Sequence, residues 1–200
     1  IAAAIPETIR PLEMIAQTTE GKAYKAIAIN EVSLLRQSYQ AAKLRFMFGG
    51  EATVPMVLTT AYGAGLGAAA QHSQSLEAWL AHVPGLKVVV PGTPYDAAGM
   101  LRSAIDDPDP VLFLEHKHLY RQTYNKGVYP GNDYTIPFGK AVTKREGTDL
   151  TVITWGALVQ RSLLAAQQAE KEGISVKVID LRSIMPFDWD AIAAAVHATN

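Results

Sequence analysis

Four short runs in this sequence carry residue types that can do chemistry. Gln71-His-Ser-Gln-Ser75 places polar residues behind a loop of small ones, just ahead of Leu76-Glu-Ala-Trp79. A histidine there can act as acid, base or hydrogen-bond donor near neutral pH. His72 can equally satisfy backbone groups at the start of the following helix, and spacing alone admits both roles.

Gly63-Ala-Gly-Leu-Gly67 is spaced G-x-G-x-G, not G-x-G-x-x-G, and no acidic residue follows at the dinucleotide-binding distance. A tight glycine turn is the better reading. The phosphate-cradling G-x-x-x-x-G-K-[ST] and the hydrolase G-x-S-x-G are both absent, which argues against nucleotide hydrolysis and the usual serine hydrolase. Asp106-Asp-Pro-Asp-Pro110 reads either as a solvated turn or as a hard-cation site built from carboxylates and helix-end carbonyls. Glu115-His-Lys-His118 looks like a metal cluster, but alternation along a strand would point His116 and His118 to opposite faces. A zinc site is therefore not expected there. His82 and His197 read as ordinary helix residues.

These runs need elements to hold them. Val32, Leu34, Leu35, Ala41, Ala42, Leu44 and Phe46 recur mostly at helical spacing, and Gly49-Gly50 stops that helix. Val54–Thr60, Leu86–Val90 and Val111–Leu114 are short apolar runs typical of parallel strands buried on both faces. A helix is expected over Asp96–Ile105, between the second and third of them. From Tyr120 to Gly147 the periodicity breaks amid Asn, Gly and Pro, as in a linker. A second βαβ unit follows: strand Leu150–Thr154, helix Leu158–Glu172, strand Val176–Ile179, then a helix from Trp189 capped by Asp188. The fold class is α/β. The domains expected are residues 1–124, a linker at 125–146, and a partial second domain at 147–200.

Composition narrows the function. Of 200 residues, 48% are hydrophobic and only 18% charged, which suggests surface covered by another subunit. A net charge of −1 excludes the electrostatic footprint of a nucleic-acid binder. Without cysteine there is no disulfide, thiolate zinc site or cysteine nucleophile, which fits an intracellular protein. No apolar run reaches the length of about 18 residues needed to span a membrane. The start, Ile1 to Pro6, lacks the basic region of a signal peptide. With no initiator Met and a stop at Asn200 straight after a helix-like run, the chain reads as a fragment at both ends.

Ala41-Ala-Lys-Leu-Arg-Phe-Met-Phe-Gly-Gly50, Val54-Pro-Met, Ala70-Gln-His-Ser-Gln-Ser75 and Pro84-Gly-Leu-Lys-Val-Val-Val-Pro91 together resemble the beta subunit of the 2-oxoacid dehydrogenases. So do Thr93-Pro-Tyr-Asp96, Asp109-Pro110, Leu114-Glu-His-Lys117, Leu119-Tyr120, Tyr134-Thr-Ile-Pro-Phe-Gly-Lys140 and Val178-Ile-Asp-Leu-Arg182, in order over residues 40–200. The nearest branches are the pyruvate and acetoin dehydrogenases. The resemblance implies a transketolase-like pyrimidine domain with a parallel sheet, followed by a partial transketolase C-terminal domain. It also implies thiamine diphosphate as cofactor and an alpha subunit, in an alpha2-beta2 heterotetramer, that holds the diphosphate through magnesium. A lipoyl acyltransferase core receives the acyl group, with pyruvate as the first choice of 2-oxoacid. The location implied is the bacterial cytoplasm, or the mitochondrial matrix in a eukaryote. Neither nucleic acid nor membrane is a partner.

By the same resemblance His72 hydrogen-bonds the bound intermediate and assists reductive acyl transfer to lipoamide. A glutamate of the beta subunit bonds the cofactor's pyrimidine; Glu7 is the candidate, ahead of Glu13, although the first forty residues match the family poorly. The family's potassium site carries over to Met56, Ala104, Ile105, Asp107 and Asp109, the first three through backbone carbonyls. Pro108 departs from the commoner pattern there. Two alternatives rank behind this reading. A transketolase or deoxyxylulose-phosphate synthase fragment would carry Thr-His-Gln-Pro where this chain has Gln71-His-Ser-Gln-Ser75. A non-catalytic docking or structural subunit is the other.

Overall fold

The computed structural model describes residues 13–17, 23–27 and 31–199, with side chains from residue 37 onward. Strands β1 (Glu13–Gln17) and β2 (Ala23–Ile27) form an antiparallel pair. Helix α1 (Glu31–Met47) follows and ends at Gly49 and Gly50, both at positive φ.

The first large sheet has the order β3-β5-β4-β9, from β3 (Val57–Tyr62), β4 (Lys87–Val89), β5 (Val111–His116) and β9 (Ser183–Met185). Strands β3, β5 and β4 run parallel, with Tyr62 in register with His116. Alternation divides β5 between two cores. Leu112 and Leu114 pack with Leu58, Leu80, Leu86 and Val88, while Val111 and Phe113 pack with Met100, Ala104 and Ile136 on the other face. Covering both faces explains the unbroken apolar runs of these strands. Helix α2 (Glu77–Ala81) contributes Leu80 to the first core, and helix α3 (Pro94–Asp106) contributes Met100 and Ala104 to the second. Thr93 caps α3 by accepting a hydrogen bond from the Asp96 N–H at 3.1 Å.

The second sheet, order β6-β8-β7, comprises β6 (Val142–Arg145), β7 (Leu150–Thr154) and β8 (Val176–Asp180). Strands β7 and β8 are parallel and joined through helix α4 (Ala157–Glu170), whose Ala166 packs on Val176 and Val178. The Asp188 side chain caps α5 (Trp189–Ala198) by accepting from the Ala191 N–H, as the sequence predicts.

Two expectations need correction. The stretch 125–146 is not simply a linker: it contains β6, antiparallel to β8, and its Ile136 is buried in the first core. Both sheets are also mixed rather than parallel: β9 leaves the second unit and pairs antiparallel with β4, and β6 is the antiparallel strand of the second sheet. Only Leu181 and Arg182 separate β8 in one sheet from β9 in the other. Arg182 makes this crossing in the left-handed region, at φ 59°.

Candidate active site

Strands β3 and β5 end level with one another, and the loop carrying His72 leaves from that edge. Ligands of open parallel α/β sheets bind beyond the carboxyl ends of the strands. Gly63 donates its N–H to the Gln74 carbonyl at 2.8 Å, closing the loop at its base. Ser73 Oγ donates to the Ala69 carbonyl at 2.6 Å, and Ala70–His72 form one 3-10 turn. His72 itself is exposed.

The next segment of β5 braces this loop. Gly63, at φ +84°, lies so close to the His116 ring that a Cβ there would stand 2.3 Å from Nε2. Gly65, at φ +112°, faces the His118 ring, with a Cβ predicted 3.1 Å from Nδ1. Lys117 Nζ donates to the His72 carbonyl. The expectation that His116 and His118 point to opposite faces is wrong for a local reason. The strand ends at His116 and the chain turns into a 3-10 helix, Lys117–Arg121, which brings the two rings to 6.4 Å between centroids. Among the described residues no group of three or more His, Asp or Glu is placed to hold a metal ion.

His116 is half-buried, stacks edge-on to Tyr62 at 4.7 Å and accepts the His118 N–H on Nδ1 at 3.2 Å. Burial, and then the positive charges of His118 and Lys117, hold its pKa below the usual imidazole value. A neutral ring with the proton on Nε2 follows from that bond. A cavity of about 210 Å³ lies on the other side of His116, between the α3 N-terminus and Glu115. The Tyr120 hydroxyl donates to Glu115 Oε2 there at 2.7 Å, and burial plus that carboxylate raise the tyrosine's pKa.

The five potassium candidates gather at the opposite end of the sheet. The Met56 carbonyl accepts the Val111 N–H at 2.9 Å, and the Ala104 carbonyl accepts the Asp107 N–H at 3.4 Å. The carboxylates of Asp107 and Asp109 are already matched by cations. Lys87 Nζ stands 2.6 Å from Asp107 and 3.1 Å from Asp109, and Arg45 stands 2.7 Å from Asp109. Partial burial pushes the Asp109 carboxyl up, but the bonds and charges of Arg45 and Lys87 outweigh this and hold it below the usual carboxylate range. Ion pairs thus already engage both carboxylates, which favours main-chain carbonyls as the donors for a potassium ion. A mostly apolar groove of about 940 Å³ opens beside Arg45, Lys87 and Asp109. Glu7 lies outside the described residues.

A third cluster escaped the sequence reading. Asp180 ends β8 completely buried, with Lys144 Nζ 3.7 Å away and Asp96 nearby. Burial pushes its carboxyl up to about 6 against the pull of Lys144 and Arg182. The signal available was Val178-Ile-Asp-Leu-Arg182, a carboxylate closing an apolar strand, but its partners lie far away in sequence.

Comparison with known families bears directly on this arrangement. The family model "Transketolase, pyrimidine binding domain" matches residues 29–123, and "Transketolase, C-terminal domain" matches residues 139–200. The chain carries both of these transketolase domains. It is 50% identical over 160 residues to the 2-oxoisovalerate dehydrogenase subunit beta of Bacillus subtilis (strain 168), covering 80% of this chain and 48% of that protein. It is 51% identical over 162 residues to the pyruvate dehydrogenase E1 component subunit beta of the same organism, covering 81% and 49%. The acetoin:2,6-dichlorophenolindophenol oxidoreductase subunit beta of Cupriavidus necator is 49% identical over 160 residues, covering 80% and 46%. The chain thus spans about half the length of the curated relatives it matches. A solved structure titled "Split gene transketolase, inactive beta4 tetramer" superposes with a TM-score of 0.59 at 22% identity, over 81% of this chain and 52% of that one. That likeness establishes the transketolase-like fold.

Proposed function

We propose that this transketolase-like chain belongs to the beta subunit of a thiamine-diphosphate-dependent 2-oxoacid dehydrogenase. The reaction is oxidative decarboxylation of a 2-oxoacid, pyruvate first, with transfer of the acyl group to lipoamide. The observation that carries this reading is an exposed His72 at the carboxyl ends of two parallel strands, in a chain about half identical to beta subunits named for that chemistry.

The loop leaves open space for a ligand at Gly67, where nothing would stand within 4 Å of a Cβ. Thiamine diphosphate, when bound, supplies the electron sink that decarboxylation of a 2-oxoacid requires. His72 is placed to donate a hydrogen bond to developing negative charge, and to supply a proton as the lipoamide disulfide opens. Magnesium and the diphosphate fall to an alpha subunit, in an alpha2-beta2 heterotetramer served by a lipoyl acyltransferase core. Glu7 is the cofactor-facing carboxylate of this reading, and potassium binds the carbonyls of Met56, Ala104 and Ile105. The bacterial cytoplasm is the setting, by analogy with the bacterial relatives.

The test is reconstitution of the full-length protein with its alpha partner. Thiamine-diphosphate-dependent decarboxylation is expected only from the pair, and is measured on pyruvate and 2-oxoisovalerate. Decarboxylation by the lone beta chain, or none by the pair on either acid, would reject the proposal. His72→Asn is expected to lower lipoamide acylation by at least about tenfold, with the melting temperature retained.

A further inference from the structure

Bonds within the 63–75 loop fix its shape, but something else must fix where it stands. The loop is built of Gly and Ala and is mostly exposed, so it buries little surface against the sheet. Its ties to β5 come from three consecutive residues that the loop's own sequence does not announce. The His116 ring fills the space over Gly63, the His118 ring stands against Gly65, and Lys117 Nζ holds the His72 carbonyl from 45 residues away. A charged donor on a carbonyl makes a stronger bond than a neutral one.

We propose that Lys117 is a positioning residue for His72, anchoring the 70–72 turn to the end of β5 while its two flanking imidazoles seat the glycines that lead into it. This gives Glu115-His-Lys-His118 a role that is neither metal binding nor helix decoration. The inference rests on the proposed catalytic use of His72. Because His72 hangs from the turn by its own backbone, a shift of its carbonyl moves the imidazole with it. A misplacement of about 1 Å can cost up to about 10²-fold in rate. The ring chemistry of His72 is untouched by the substitution, so substrate binding should change little.

The experiment compares Lys117→Met, Lys117→Arg, His72→Asn and the Lys117→Met/His72→Asn double variant in the reconstituted complex. Lys117→Met is expected to lower the turnover of lipoamide acylation by about tenfold with the KM for the 2-oxoacid within about twofold. Lys117→Arg, which still offers a charged donor, should restore most of that loss. The double variant should lose no more than His72→Asn alone, since both changes act through one imidazole. Hydrogen exchange gives a readout independent of turnover: amides of residues 69–75 should exchange faster in Lys117→Met and return to normal in Lys117→Arg. If His72→Asn is impaired while Lys117→Met is normal, or their losses multiply, the positioning role is overturned and the function stands. If His72→Asn is fully active, the catalytic reading of His72 falls. Unchanged exchange in Lys117→Met overturns the anchor whatever the activities are.

Discussion

Arg182 Nη1 lies 3.3 Å from Asp96 Oδ1, joining the crossing between the two sheets to the first turn of α3. Both side chains are largely buried, and the same guanidinium also donates to the Lys140 carbonyl at 2.7 Å. Removing one partner of such a pair leaves the other charge buried and uncompensated, which typically costs about 3–5 kcal/mol. Lys144 Nζ, 3.6 Å from Asp96 Oδ2, offsets part of that. Arg182→Ala should therefore destabilise the chain by about 2–4 kcal/mol in denaturant melts. A loss under about 0.5 kcal/mol would mean the pair adds nothing to the seam.

Asp180 makes the stability of that seam depend on pH. Its folded-state pKa of about 6 lies above the unfolded value of about 3.9. Between these values the folded chain keeps a proton that the unfolded chain has released. Stability from this group is complete below about pH 4, falls as pH rises, and is lost above about pH 6. Asp180→Asn removes the titration and keeps an oxygen for the Arg182 N–H, now bonded at 3.1 Å. The stability of the unmutated chain relative to Asp180→Asn should thus drop by on the order of 2 kcal/mol between about pH 4 and pH 7.5. A difference that is flat with pH would show that folding leaves the pKa of Asp180 unshifted.

What could be read from the sequence was whatever is decided locally. Val111 to Leu114 announce a strand buried on both faces because each face has its own apolar core, and Asp188 announces a cap because its partner is three residues away. What could not be read depends on distant partners. Strand β9 is only Ser183–Met185, and its pairing with β4 is invisible without the fold. Strand β6 hides in Thr143-Lys-Arg145, whose charged residues suit an edge strand and erase the apolar pattern. His116 and His118 were assigned to opposite faces because the periodicity does not say where β5 stops. The ion pairs of Asp107 and Asp109 are equally invisible, because Lys87 and Arg45 are 20 and 64 residues away from them.

The glycine loop offers a contrast within a few residues. Gly63 and Gly67 both have positive φ, +84° and +69°, so alanine strains the backbone at either. Only at Gly63 does the new Cβ also meet a neighbour, the His116 ring at 2.3 Å. Gly67→Ala should cost about 1 kcal/mol and leave the His72 turn in place. Gly63→Ala must in addition displace His116, raising the cost to about 2–4 kcal/mol, with at least about tenfold lower lipoamide acylation. Thermal melts and turnover of the two variants side by side decide it. Equal effects would mean that the His116 contact does not matter.

Asp109 separates the two ways a cation can serve the far end of the sheet. Its carboxylate is engaged by Arg45 and Lys87 at 2.7 and 3.1 Å, in partly exposed pairs. Losing them in Asp109→Ala should cost about 1 kcal/mol or less, equally in potassium and in sodium. A potassium ion held by the carbonyls of Met56, Ala104 and Ile105 would stabilise the folded chain by mass action, through atoms this substitution does not remove. The melting temperature should therefore be higher in potassium than in sodium chloride at equal ionic strength, and by the same margin in the unmutated chain and in Asp109→Ala. Equal melting of the unmutated chain in both salts would reject the potassium site. A margin that vanishes in Asp109→Ala would return the carboxylate to the ligand set and make Arg45 and Lys87 its competitors.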